Sequence, residues 1–342
     1  MDQTTPTLEQ WRRLYQATTQ VKELAPWDWM AETDIFGVQD PETKEIGFVS
    51  VMGALGEHFS LAVYLGPKGL YRFWAFEDMG PDSPLETLFE IYHLQASFED
   101  RNTLTDQDRA LIKELGLKFR GRNAWPMFRS YRPGFFPWYL EAGEARFLTH
   151  VLEQAMDVTP RIKEAPEILT PADEDSYLVR APMKKKGTLV WEDRVVPVPP
   201  PEPESIRLAM DIGLLAEMKR LPQSSASLEV DFFGVPIMIG ERGTRPSMPY
   251  MLLVVERDSG FVIGSELLQV ETTLEAMWGE VPVTLLRQMT RMGIVPRQIG
   301  VRSPLLLQLL QPLGQELKSK IRLTPVMRSL DSAKEFLMQR FV

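Results

Sequence analysis

The sequence of 342 residues contains no cysteine and only three histidines. The absence of cysteine excludes disulfides, thiolate catalysis and every zinc site with cysteine ligands. His58, His93 and His150 all lie in the N-terminal half, and no two of them have the spacing of a metal-binding pair on one helix or strand. Nothing in the sequence therefore indicates a histidine or cysteine metal site.

Common catalytic and nucleotide-binding motifs are also missing. The sequence has no Gly-x-Ser-x-Gly nucleophile elbow, no Walker loop and no Gly-x-Gly-x-x-Gly that opens a helix. We therefore expect neither serine-hydrolase chemistry nor a glycine-rich phosphate loop. No cofactor is indicated by any motif.

Long hydrophobic runs are absent as well. No stretch approaches eighteen uncharged apolar residues, so we expect no membrane span and no membrane partner. The first six residues, MDQTTP, lack the basic region and the apolar run of a secretory signal. A cytoplasmic location is the resulting expectation.

The composition is that of a globular protein, with 44% hydrophobic and 25% charged residues, and the length favours two domains. The net charge of −9 is unevenly spread, because the last sixty residues contain ten lysines and arginines against three acids. The acidic N-terminal part argues against a protein that coats nucleic acid along its whole length. The basic C-terminal end leaves room for a local contact with a polyanion.

A proline-rich stretch divides the chain. Residues 196–204 (VPVPPPEPE) should form a stiff extended segment, because proline interrupts both helices and central strands. Residues 177–194 before it have the pattern of a hairpin with a Lys-Lys-Lys-Gly tip. We therefore predict an α+β domain at 1–165, a connecting region with a hairpin and the proline-rich segment at 166–205, and an α/β domain at 206–342.

The N-terminal part predicts strands followed by helices. Thr105 followed by Asp108 three residues later is typical of a capping box that opens a helix. A block of strands and then a block of helices is typical of an α+β domain rather than of alternating βαβ units. The expected strands are 35–38, 46–52, 59–65 and 70–76, with 66–69 as a turn. A helix is expected at 8–24, and apolar residues at helical spacing over 147–156 predict another. A further helix is expected from Leu85, Leu88, Phe89, Tyr92 and Ala96, which would share one face.

The C-terminal part predicts one mixed sheet with helices packed against it. Residues 250–255 are apolar without alternation, as in a strand buried on both faces. The three turn residues 258–260 join this strand to the next, so the two should be antiparallel. Later strands are each reached through a helix and should run parallel to 250–255. The expected strands are 250–255, 261–268, 299–301 and 321–323. Helices are expected at 206–220 and at 274–292, the second with a break at Pro282. Two further helices are expected, one capped by Ser303 with Pro304 at its first position and one capped by Asp331.

Short segments of this part resemble the core domain of transposases and integrases, which has the RNase H-like fold. Residues 256–264 (ERDSGFVIG) resemble its first hairpin, in which an acid precedes a serine and an apolar second strand. Residues 293–299 resemble the approach to its fourth strand, while 323–325 and 333–335 resemble its last strand and its last helix. The resemblance implies an RNase H-like mixed sheet in the C-terminal domain.

The same resemblance implies three carboxylates that hold metal ions. Glu256 and Glu335 stand at the first and last of these positions, but Arg302 and Ser303 stand at the middle one. A two-metal phosphodiester site loses cation affinity when arginine replaces a bridging acid. A divergent Mg²⁺-dependent nuclease that uses Glu256, Asp258 and Glu335 is the enzyme alternative. Otherwise these acids belong to a hairpin turn and to a solvent-facing helix.

A basic and aromatic segment, residues 118–140, is the candidate binding surface of the N-terminal domain. Its basic residues are interleaved with aromatic rings, which is typical of single-stranded nucleic-acid binding because cations contact phosphates and rings stack on bases. The alternative is a buried strand whose arginines pair with nearby acids. The candidate nucleic-acid-binding residues are Lys118, Arg120, Arg122, Trp125, Arg129, Tyr131 and Arg132.

The whole chain also resembles an uncharacterised bacterial two-domain family of unknown function, through residues 26–30 (PWDWM), 56–59 (GEHF) and 245–249 (RPSMP). This resemblance implies an architecture and no mechanism. Because the acid triad is incomplete and no other catalytic constellation is present, we expect a non-catalytic cytosolic interaction or scaffold protein with a degenerate RNase H-like domain. A divergent metal-dependent nuclease and a single-stranded nucleic-acid-binding module are the alternatives.

Overall fold

The computed structural model describes residues 4–80, 90–171, 173, 175–202 and 205–339. The chain divides into two compact units, each with its own sheet and its own hydrophobic core. The first unit comprises Met1–Arg132 and Pro137–Glu202, and the second comprises Pro133–Phe136 and Pro203–Val342. The boundary near residue 203 falls within the predicted proline-rich segment.

The first unit contains a seven-stranded sheet with the order β5-β4-β3-β2-β1-β6-β7. All neighbouring strands are antiparallel except β1 and β6, which are parallel. The strands are β1 (Phe36–Gln39), β2 (Ile46–Met52), β3 (Phe59–Leu65), β4 (His93–Glu99), β5 (Trp125–Tyr131), β6 (Ser176–Lys185) and β7 (Thr188–Pro197), and the helices are α1 (Leu8–Leu24), α2 (Gly66–Met79), α3 (Asp106–Glu114) and α4 (Ala142–Glu164).

Helices pack on both faces of this sheet. α1 and α4 contact each other and bury Leu14, Val21 and Leu148 against one face. α2 buries Leu70 and Phe73 against the other face, where they meet Phe48 of β2. The sheet is therefore the middle layer of the unit, and its strands are apolar on both sides.

Two capping boxes explain where helices of the first unit begin. The Thr7 hydroxyl accepts from the backbone N–H of Gln10, whose side chain accepts from the backbone N–H of Thr7, so α1 begins at Leu8 as predicted. The same reciprocal pair, formed by Thr105 and Asp108, opens α3 and confirms the predicted capping box.

Three predictions for the first unit were wrong. The segment 66–76 is not a turn and a strand but helix α2, since Pro67 fits the first turn of a helix and Leu70 and Phe73 lie one turn apart on its buried face. Of the predicted helix face, Tyr92 precedes β4 and Ala96 lies within it, while Leu85, Leu88 and Phe89 lie outside the described residues. The hairpin β6–β7 is not part of a connecting region, because β6 pairs with β1 in the sheet.

The second unit contains a five-stranded sheet with the order β10-β9-β8-β11-β12. β8, β9 and β10 form an antiparallel meander, and β11 is parallel to both β8 and β12. The strands are β8 (Ser227–Gly234), β9 (Tyr250–Glu256), β10 (Val262–Leu268), β11 (Gln298–Val301) and β12 (Lys320–Leu323), and the helices are α5 (Ile212–Met218), α6 (Leu274–Gly279), α7 (Val281–Met292), α8 (Pro304–Leu317) and α9 (Arg328–Met338).

The four strands predicted for the second unit do lie in one mixed sheet, and β9 and β10 are antiparallel as predicted. The prediction that β11 and β12 run parallel to β9 was wrong. They run parallel to β8, and β8 is antiparallel to β9. The sheet therefore starts one strand earlier than the sequence analysis assumed.

Helix starts in the second unit follow the predicted signals in two of three cases. Pro282 stands in the first turn of α7, directly after α6, and the Ser303 hydroxyl accepts from the backbone N–H of Leu306 to cap α8. Asp331 is not a cap, because α9 begins at Arg328. Within the described residues, no helix has the length and apolar character needed to cross a membrane.

Candidate functional site

Two acids on β8 form the starting point of the candidate site. Glu229 and Asp231 are two residues apart on one strand, so their side chains point to the same face of the sheet. Both side chains are buried, with exposed fractions of 4% and 8%. Buried carboxylates are costly unless they are paired or hydrogen-bonded, so their partners define the chemistry of this face.

Arg302 lies between carboxylates from a strand and from a helix. It directly follows β11, whose last residue Val301 is paired with Val230 of β8. Its Nε lies 3.5 Å from the Asp231 carboxylate, and its Nη2 contacts the Asp331 carboxylate of α9. A guanidinium therefore bridges the two acids at the end of β11.

The charge balance around Asp231 is incomplete. Burial raises the pKa of Asp231, and the nearby charges of Lys334 and Arg302 oppose this effect without reversing it. One of its oxygens accepts from the backbone N–H of Phe232 at 2.9 Å. Burial therefore disfavours the charged form of Asp231 more than the two cations favour it.

Glu229 has a structural contact at the start of α9. Its Oε2 accepts from the backbone N–H of Leu330 at 2.9 Å, within the first turn of the helix. A carboxylate at a helix N-terminus satisfies an otherwise unpaired donor and interacts favourably with the helix dipole. Arg257 Nε lies 3.9 Å from the other oxygen of Glu229. Glu229 therefore fixes α9 against β8.

These residues do not fit a divalent cation. Mg²⁺ is held by oxygen ligands in near-octahedral geometry, and the position between Asp231 and Asp331 is filled by the Arg302 guanidinium. In the part of the chain that the structure describes, no group of three or more acids or histidines is arranged to hold a metal ion. The chemistry of the cluster is that of an internal ion pair.

The three acids proposed from the sequence lie elsewhere. Glu256 is half-buried at the end of β9, where its carboxylate accepts from the Ser259 N–H at 2.7 Å and the Ser259 hydroxyl at 2.6 Å, and these bonds lower its pKa. Asp258 is exposed in the turn before β10, and Glu335 is exposed on α9. Glu256 therefore stabilises the hairpin turn.

Glu256 and Glu335 lie at different ends of β8. Glu256 is paired with Leu228 near the start of β8, whereas Lys334, next to Glu335, lies over the ring of Phe233 near its end. Five residues of extended strand separate these two levels by roughly 16 Å. The structure does not bring the three predicted acids together into one site.

Arg129, a predicted nucleic-acid contact, is a buried internal residue. Its guanidinium forms two hydrogen bonds with the Asp108 carboxylate, at 3.0 and 2.6 Å, and lies 4.9 Å from the ring of Tyr139. Burial raises the pKa of Asp108, but the bonds from Arg129 and Thr105 outweigh it and lower the pKa below its usual range. This pair stabilises the first unit and is not available to a ligand.

Arg132, Tyr131 and Trp125 also have internal contacts. Arg132 pairs with Glu141 at 2.6 Å and with Glu144 at 3.0 Å. The Tyr131 hydroxyl donates to Gln95 at 2.8 Å, and its ring stacks on His93. Trp125 is half-buried against the main core of the first unit. For these residues the structure agrees with the alternative of a packed strand.

The remaining predicted cations, Lys118, Arg120 and Arg122, are exposed. They follow α3 in the loop that leads to β5, and no acid of the described chain forms an ion pair with them. Arg122 also lines a cavity of about 410 Å³ together with Lys22, Trp27, Phe59, Phe98 and Asn123. Within the described residues, this loop therefore offers positive charge that no carboxylate of the chain pairs with.

Sequence reasoning missed the acids of β8 and the cavity residues Lys22 and Phe98. A usable signal was present for the acids, because residues 227–231 (SLEVD) alternate apolar and acidic residues, which is typical of a strand. No local signal links Lys22 of α1 with Asn123, since these residues meet only in the fold.

Two family models match the chain. Residues 11–180 match a domain of unknown function (DUF7309), and residues 214–338 match another domain of unknown function (DUF6930). No curated protein matches the chain. The chain thus combines two domains of unknown function, which agrees with the resemblance to a two-domain family. The first match ends at residue 180 and the second begins at residue 214. The boundary between the two units, near residue 203, falls between them.

Proposed function

We propose that the protein is a non-catalytic interaction or scaffold protein whose second unit has a degenerate RNase H-like fold. The observation that carries this proposal is the Arg302 guanidinium, which contacts Asp231 and Asp331 at the position where a metal-dependent enzyme needs a cation. A bound metal would have to displace a side chain that already lies between the two acids.

The order of elements in the second unit supports the RNase H-like assignment. An antiparallel pair joined by a tight turn, β9 and β10, is followed by helices, β11, α8, β12 and α9. This order, an antiparallel pair followed by strands that are each reached through a helix, is the one predicted from the sequence, and β8 adds a strand at its start. β8 also bears the acid that faces the end of β11, so Asp231 takes the role that the sequence analysis gave to Glu256.

The edges of the second sheet support an interaction role. β10 and β12 are its outer strands, and within the described chain neither pairs with a further strand on its outer side. Apolar side chains are exposed there, with Leu267 at 41% and Leu323 at 49%. Exposed strand edges with apolar side chains can pair with a strand of another protein.

The test is a cleavage assay with Mg²⁺ or Mn²⁺ and labelled single-stranded DNA, duplex DNA, RNA and RNA–DNA hybrid. We expect no metal-dependent product from the wild type. Asp231→Asn removes the acid that the enzyme alternative needs, and Glu335→Gln, an exposed acid on the neighbouring helix, is the matched control. Cleavage that is present in the wild type and in Glu335→Gln but lost in Asp231→Asn would end the proposal.

A further inference from the structure

A cavity of about 410 Å³ in the first unit combines aromatic rings with cations. It lies where the end of α1 meets β3, β4 and the loop before β5, and its size is within the range of small-molecule sites. The residues that line it and carry its chemistry are Lys22, Trp27, Phe59, Phe98, Arg122 and Asn123.

The apolar wall of the cavity consists of packed aromatic rings. The Trp27 ring lies 5.0 Å from the Phe59 ring and 5.4 Å from the Phe98 ring, centroid to centroid. Trp27 and Phe98 belong to the main core of the unit, and Phe59 packs against it half-buried. Aromatic groups held in this way present a fixed surface on which a planar ring can stack with little loss of entropy.

The cation at this wall is incompletely satisfied. Lys22 Nζ lies 5.3 Å from the centre of the Phe98 ring and donates to the Asn123 carbonyl at 2.6 Å. An ammonium has three donors, and no carboxylate of the described chain pairs with this one. Lys22 is half-buried, and this burial lowers its pKa. An anion would supply the missing acceptors.

The loop opposite Lys22 is held in an unusual backbone conformation. Asn123 has a φ of 48° and Ala25, at the end of α1, has a φ of 52°, so both are left-handed residues other than glycine at this cavity. The Asp100 carboxylate accepts from the Asn123 N–H at 2.8 Å and fixes the loop. This conformation brings the Asn123 carbonyl to Lys22 and puts the exposed Arg122 next to it.

We propose that this cavity binds a nucleotide, with its base against Trp27, Phe59 and Phe98 and its phosphate at Lys22 and Arg122. A purely apolar ligand would leave both cations unsatisfied, and an inorganic anion would make no use of the rings. Two cations match a phosphate dianion better than a single carboxylate. The exposed Lys118 and Arg120 of the same loop could contact a further phosphate, so the nucleotide is either free or one unit of a single strand.

Calorimetric titration of the full chain at two salt concentrations tests this site. The probes are adenosine 5′-monophosphate, a ten-nucleotide oligo(dT) and inorganic phosphate. Binding of the mononucleotide alone identifies a free nucleotide, and binding of the oligonucleotide alone identifies a single strand; either result supports the site. The affinity should fall at the higher salt concentration. Binding of neither, or equal binding of inorganic phosphate and mononucleotide, would overturn the proposal.

The variants assign the binding to this cavity. We expect Lys22→Met and Arg122→Gln each to weaken it by about tenfold or more, because each removes a charge-assisted hydrogen bond. Arg12→Gln is the matched control, because Arg12 is an exposed cation on the same helix. Arg122 lies in an exposed loop, so its substitution tests the site even if Lys22→Met unfolds the unit. Unchanged affinity in Arg122→Gln would contradict the site. The result is independent of the cleavage assay on the second unit.

Discussion

Two buried aspartates should differ strongly in how much stability the same substitution costs. Asp108 in the first unit and Asp231 in the second are both buried beside an arginine. The contacts differ, because Arg129 makes two hydrogen bonds to Asp108 whereas Arg302 Nε stays 3.5 Å from Asp231. The pKa of Asp108 is accordingly lowered and that of Asp231 is raised.

Asp108→Asn should strongly destabilise the first unit. The substitution leaves the buried Arg129 guanidinium without its counterion, and breaking a buried pair in this way costs about 3–5 kcal/mol. The lowered pKa also predicts a pH dependence. Stability from this pair is fully present above the unfolded pKa of about 4 and is lost as the pH falls below it through the folded pKa, so wild type and variant should converge in acid.

Asp231→Asn should cost little at pH 7. The amide oxygen can still accept from the Phe232 N–H, the burial of a charge is avoided, and Arg302 keeps its contact with Asp331. We expect a change within about 1 kcal/mol of wild type, in either direction. Because the folded pKa is raised, the wild type loses stability as the pH rises from about 4 through that pKa, and the variant lacks this loss.

The assay can separate the two units. Seven of the eight tryptophans lie in the first unit, and Trp278 is the one in the second, so tryptophan fluorescence in urea reports mainly on the first unit and far-ultraviolet circular dichroism reports on both. Asp108→Asn should shift the fluorescence transition to lower urea. An Asp231→Asn variant that loses as much stability as Asp108→Asn would refute the reasoning, because it would show that Arg302 and Asp231 form a tight pair.

Two further predictions concern the first unit. Gly47→Ala should lower the free energy of unfolding, measured by urea titration, by about 1–3 kcal/mol. The added methyl group would lie 2.5 Å from a Val63 methyl and 2.9 Å from the Phe147 ring. Gly143→Ala is the control, because its methyl group meets no atom closer than 3.8 Å and should be neutral or stabilising. Burial lowers the pKa of His93 to about 4. As the pH is lowered from about 6.5 to about 4, the free energy of unfolding should therefore fall by up to about 1.4 kcal/mol per pH unit. His93→Phe should abolish this part of the pH dependence.

The sequence predicted elements well where local chemistry determines them. The capping pair at Thr105 and the Ser303–Pro304 start place two helices, and each rests on residues within one turn. The apolar strand at 250–256 is recognisable for a similar reason, because burial on both faces removes the alternation. Residues 70–76 were predicted as a strand but lie in a helix. A short apolar run is compatible both with the two-residue period of a strand and with the 3.6-residue period of a helix, so it does not distinguish them.

The candidate sites depend on contacts that local patterns do not encode. Arg129 and Asp108 are 21 residues apart, Asp231 and Asp331 are brought to Arg302 by different elements, and Lys22 meets a loop 101 residues away. The resemblance to transposase cores drew attention to Arg302 at the end of β11, but the acid that lies beside Arg302 is Asp231 of β8 and not Glu256 of β9. Only the pairing of β8 with both β9 and β11 shows which acid faces Arg302.

The partners of the cations separate structural roles from binding roles in this chain. Arg129, Arg132 and Arg302 each contact at least one carboxylate, so an anionic ligand would have to compete with an internal acid at every one of them. Lys22 and Arg122 have no such competitor in the described residues and flank a cavity. An anion should therefore gain most at the cavity of the first unit. In the second unit Arg302 already lies between Asp231 and Asp331, so we expect that cluster to bind neither metal ions nor phosphates.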